Sequence, residues 1–130
     1  MLPMGLERSE TGGESILNNS IQKLSNDYLF RAVLSLKTMD EARDFFEDLC
    51  TAQELKAISQ RIIVAKMLND KRVYSDIVKE TSASTATISR VNRSLVYGND
   101  SFRTIFPRLP RRWDVEMSET EFDDEDIQGE

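Results

Sequence analysis

The chain has 130 residues, 39% of them apolar and 31% charged, and a formal net charge of −6, which suits one small domain. With no histidine and a single cysteine, Cys50, it excludes an internal disulfide, the usual four-ligand zinc site and any Ser–His or Cys–His nucleophile pair. It also carries no glycine-rich phosphate loop and no apolar run near the ~20 residues that cross a bilayer, so neither an enzyme, a metalloprotein nor a membrane protein is expected.

Met1 to Asn19 is polar and aperiodic, reads as a disordered arm, and lacks the basic start and apolar stretch of a secretory signal. With the lone cysteine, this places the expected protein in the cytoplasm. Ser20 to Lys37 has helical spacing: Ile21, Leu24 and Tyr28 fall three or four apart, and Tyr28 to Leu36 is apolar at most positions. A helix apolar around so much of its circumference needs cover on more than one side. A dimer interface or the centre of a monomeric bundle would supply it.

Thr38 to Glu41 fits a capping box, opening a helix with Met39, Ala42, Phe45, Phe46 and Leu49 on one face. Thr51 to Glu54 repeats the box before a longer helix carrying Leu55, Ile58, Ile62, Ala65 and Leu68, and Asn69 to Lys71 ends it in a polar turn. Tyr74 to Thr81 is a short helix with Ile77 and Val78 inward. Ser82 and Ala83 make a turn, and Ser84 is the N-cap of a helix from Thr85 to about Leu95. Ser101 to Phe106 forms a last short helix. Pro107 and Pro110 with Arg108, Arg111 and Arg112 mark a linker, and an acidic tail follows, expected to be disordered. The sequence thus divides into an arm (1–19), an all-α domain (20–106), and a linker with its tail (107–130).

Two short helices joined by a tight turn are the helix-turn-helix layout. On a wheel, Ile88, Val91 and Leu95 of the second helix gather on one side. Ala86, Ser89, Arg90 and Arg93 take the other, flanked by Thr85 and Thr87. Small side chains near the N-terminus permit close approach to base edges, and arginine reaches guanine or phosphate. A plain solvated helix face is the competing reading. The charge distribution favours nucleic acid despite the total. Nine acids and no base lie in Asp114–Glu130, whereas Lys56–Trp113 holds twelve bases against four acids, a net charge of +8.

The runs Thr51-Ala52-Gln53-Glu54-Leu55, Gln60-Arg61-Ile62 and Ala83 to Leu95 resemble the tryptophan repressor superfamily, and Tyr97-Gly98-Asn99-Asp100 is similar to its YerC/YecD-type branch. The resemblance covers about Ile21 to Phe106. It implies an intertwined, tryptophan-repressor-like helical homodimer that binds double-stranded DNA as a transcriptional regulator, acting as a repressor. Its DNA face would comprise Ser84, Thr85, Ala86, Thr87, Ser89, Arg90 and Arg93. By motif, the repressor's amino-acid pocket falls on Thr51, Arg61, Arg90 and Ser94. Val91 stands where the repressor has glycine, and its isopropyl group would crowd that pocket. No cofactor is therefore expected, a small-molecule effector is left open, and L-tryptophan is disfavoured. Thr51 has a sufficient role as a cap, and Arg61 as a solvated helix residue. Ser82 occupies a turn position where glycine is usual. The alternative function is a protein-interaction adaptor of the same fold, whose acidic tail docks a partner or inhibits DNA binding.

Overall fold

A computed structural model describes residues 12–114, with side chains from Asn18 onward. All regular structure among the described residues is helical: α1 (Gly12–Leu34), α2 (Met39–Leu49), α3 (Ala52–Asn69), α4 (Tyr74–Thr81), α5 (Thr85–Tyr97), α6 (Ser101–Ile105) and a 3₁₀ turn (Phe106–Arg108). The all-α expectation is met. Of the expected disordered arm at 1–19, residues 12–19 are helical instead, and residues 1–11, like the acidic tail at 115–130, lie outside the described residues.

The chain divides between Asp44 and Phe45 into two compact units. In the first, α1 starts at Gly12, eight residues before the expected start at Ser20. Asn18, Asn19 and Ser20 have weak helix propensity and look like a cap, yet the helix runs through them. Ile21, Leu24, Tyr28, Phe30 and Leu34 are all exposed, Leu34 to 83%. The α2 start follows the capping-box chemistry with a shift of one residue. Thr38 Oγ1 accepts from Glu41 N–H at 3.0 Å, while Glu41 accepts from Lys37 N–H rather than from Thr38. The α2 face is amphipathic as expected, with Ala42, Phe45 and Phe46 half-buried, but Met39 and Leu49 are exposed.

The second unit holds the core. Val64, Ala65 and Met67 of α3, Ile77 of α4, Ala83 of the turn, Ile88 and Val91 of α5, and Phe106 form one closed cluster. Thr51 caps α3 with the complete box, Oγ1 accepting from Glu54 N–H and Glu54 Oε1 accepting from Thr51 N–H. The buried stripe of α3 differs from the wheel. Ala65 is buried and Leu68 packs on the core, but Ile58 and Ile62 are 46% and 39% exposed. The closed positions of α3 are Val64, Ala65 and Met67, the ones that share the cluster with Ile77, Ile88 and Val91 of α4 and α5. Val78, expected inward, is likewise exposed. One inward residue, Ile77, serves the eight-residue α4, and its neighbour lies a quarter-turn away.

The domain also continues past Phe106. Phe106 stacks on Phe102 at 5.5 Å, Lys66 lies 5.9 Å over its ring, and Leu109 packs against the core. Part of the expected linker is therefore structural. Gly98 makes the break after α5 possible, because a Cβ there would overlap the Ser94 carbonyl oxygen.

Candidate nucleic-acid interface

The site begins where α3 ends. Arg72 N–H donates to Met67 O and Lys71 N–H to Leu68 O, a double closure with Lys71 left-handed at φ 67°. Arg72 then ion-pairs with Asp76 and Glu80 of α4, fixing the linking turn to that helix.

The turn between α4 and α5 is held from three directions. Thr81 Oγ1 donates to Ile77 O at 2.7 Å and accepts from Ala83 N–H at 3.1 Å. Gln60 Nε2 of α3 donates to Thr81 O at 3.0 Å. Ala83 is 2% exposed, which seats the turn against the core. Ser82 takes φ 63°, a left-handed conformation costing about 1 kcal/mol for a residue with a Cβ. The surrounding hydrogen bonds and the buried Ala83 outweigh that cost. Sequence reasoning assigned no part in this turn to Gln60 or Thr81. The only available signal was a polar Gln60 at helical spacing from Ala57, Ile63 and Val64.

Ser84 caps α5, its Oγ accepting from Thr87 N–H at 3.0 Å and donating to Thr87 Oγ1 at 3.1 Å. These two hydroxyls hold the helix start. Ile88 and Val91 anchor the inner side at 0% and 6% exposure. Thr85, Ala86, Ser89, Arg90 and Arg93 are exposed, as the wheel requires. Ala86, Ser89, Arg90, Arg93 and Ser94 line a shallow, open hollow of about 460 Å³. Two guanidinium groups stand over small side chains, and neither makes an ion pair among the described residues. Of the residues expected in an effector pocket, Arg90 and Ser94 share this hollow. Thr51, at the start of α3, and Arg61, further along it, are exposed and do not line it.

The Trp repressor protein family matches residues 24–110, two-thirds of the chain and all of the site just described. The chain belongs to the Trp repressor family. Its members are regulatory DNA-binding proteins and not enzymes, in line with what the missing histidine implies. Within this family the chain is 49% identical over 83 residues to the uncharacterized protein YerC of Bacillus subtilis, spanning 64% of this chain and 80% of YerC. A TrpR-like protein from Eubacterium eligens superimposes with a TM-score of 0.65 at 57% identity, covering 69% of this chain and 93% of that one. A Trp repressor candidate from Staphylococcus aureus gives 0.63 at 48% identity, covering 68% and 91%. The YerC/YecD-type reading of the Trp repressor family is therefore correct for this chain. No helix among the described residues is long and apolar enough to cross a membrane.

Proposed function

We propose that this protein is a cytoplasmic, homodimeric transcriptional regulator, a repressor, that reads double-stranded DNA with α5. The carrying observation is the two-sided character of that helix. Ile88 and Val91 lock one side into the core, while Ala86, Ser89, Arg90 and Arg93 stay exposed and neither guanidinium group makes an ion pair among the described residues. A rigidly held helix with small residues and arginines outward is the shape that enters a major groove. The +8 balance of Lys56–Trp113 supplies the salt-dependent attraction to phosphate. The exposed apolar residues of α1 give a second copy a surface to cover, and a two-fold dimer would present two reading helices to a near-palindromic site. No cofactor enters this mechanism.

Selection from a random duplex pool with the full chain tests the reading. An enriched motif is expected, weakened about tenfold or more by Arg93→Ala, in keeping with ~1–3 kcal/mol per arginine–guanine pair. Ser89→Ala is expected to relax preference at one base position. A pool that enriches nothing, with residual binding unaltered by both substitutions, would sink the proposal.

A further inference from the structure

We propose that residues 115–130 occupy the basic face of the helix-turn-helix unit of their own chain, so that duplex DNA must displace them to bind. This rests on the reading that the face binds DNA and names how its access is regulated. The ion-pair pattern carries it. Between Lys56 and Trp113 all four acids are taken within the same stretch: Asp70 by Lys66, Asp76 and Glu80 by Arg72, and Asp100 by Arg103. Arg112 is taken by Asp114 at 3.2 Å. Eight bases of that stretch are left with no acid among the described residues, including Arg90 and Arg93 of α5 and Arg108 and Arg111 after α6. Residues 115–130 carry eight acids and no base. The same chain thus carries eight bases without an acid among the described residues, Arg90 and Arg93 together at one hollow, and a run of eight acids without a base.

The point of departure agrees. The Asp114 carboxyl is held below the usual carboxylate range, first by its hydrogen bond from Arg112 and, more weakly, by the charge of Arg72. Asp114, the last described residue, is thus held by Arg112, and the sixteen residues that follow it carry the acids. Sixteen residues span up to about 55 Å when extended, while a domain of this size is only ~30–35 Å across, from a radius of gyration near 13 Å. Reach therefore sets no limit. Tethering does the rest. A short tether gives an effective concentration on the order of 1 mM, so a tail with an intrinsic Kd of ~0.1 mM lowers duplex affinity about tenfold.

The test uses the full-length chain with the eight acids at 116, 119, 121, 123, 124, 125, 126 and 130 changed to their amides. A control chain carries Asp44→Asn, Glu47→Gln and Asp48→Asn on α2. Two readouts separate the proposal from the reading beneath it. Without DNA, a nitroxide at Asp124→Cys in a Cys50→Ser background is expected to broaden the backbone amides of residues 85–94 at low salt. The broadening should disappear when the label at 124 is combined with amides at the other seven tail positions, and in about 0.5 M salt, where the Debye length falls well below the ~10 Å of 0.1 M. With DNA, the tail-amide chain is expected to bind a random duplex about tenfold more tightly at low salt, and the α2 control less than threefold. Unbroadened α5 amides, broadening that depends on protein concentration, or equal gains in both variants would overturn the proposal. Broadened amides in a chain that binds no duplex would uphold tail docking and overturn the DNA reading alone.

Discussion

Between Val64 and Phe106 eight side chains are closed off from solvent, whereas among the described side chains of residues 18–44 none is. Yet α1 is apolar at Ile21, Leu24, Tyr28, Phe30 and Leu34. The second unit folds part of its apolar set onto itself as a closed core, while Ile58, Ile62 and Val78 stay exposed. The first presents its apolar residues outward on a helix of 23 residues, and helices without tertiary cover are marginal in water. Apolar patterning therefore has two meanings in one chain. In α3–α5 it specifies a core, and in α1 it specifies a surface that needs a partner, which in the proposed function is a second copy.

The largest effect that would break this contrast is on assembly. Leu24→Asp with Tyr28→Asp is expected to weaken dimerisation on the order of a thousandfold, two apolar side chains being worth about 1.5–3 kcal/mol each. Light scattering across a dilution series checks it, and an undisturbed oligomer would remove α1 from the interface. Ile88→Ala is the matching probe of the core. It is expected to cost about 3 kcal/mol, measured by urea unfolding with an unchanged m-value.

A smaller effect tests the turn. Gln60→Leu leaves the Thr81 carbonyl without its α3 donor and is expected to cost about 1–2 kcal/mol. It should also lower duplex affinity by loosening the angle between α4 and α5. Weaker stability with unchanged DNA binding would make Gln60 a packing residue only. In the opposite direction, Ser82→Gly relieves the left-handed strain and is expected to add about 1 kcal/mol, read as a higher urea midpoint. The smallest effect concerns the effector. L-tryptophan at about 1 mM is expected to leave Tm unchanged, whereas a ~10 µM site would stabilise the fold by about 2.7 kcal/mol.

Much of this was legible in the residues. The Thr51 capping box, the Thr38 side-chain cap, the Ser84 cap, the polar stop after Asn69 and the outward set on α5 depend on interactions within a few positions of the chain. Local spacing reports such interactions directly. The resemblance in Ala83–Leu95 carried the family, because that run encodes a turn and a helix whose two sides both face constraints.

Other features were decided at longer range. The sequence by itself determined that the chain is helical, where most helices start, and which side of α5 stays exposed. It also determined that the bases cluster apart from the acids. Only the tertiary structure decided that α3 buries Val64 and Met67 beside the expected Ala65, and leaves Ile58 and Ile62 exposed, since burial depends on which residues α4 and α5 pack against. It also decided that Val78 is exposed, that Phe106 and Leu109 close the core, and that Gln60 holds the turn of the helix-turn-helix from 21 residues away. Periodicity identifies a face that can be covered, but the covering element is chosen by the packing of residues distant in sequence.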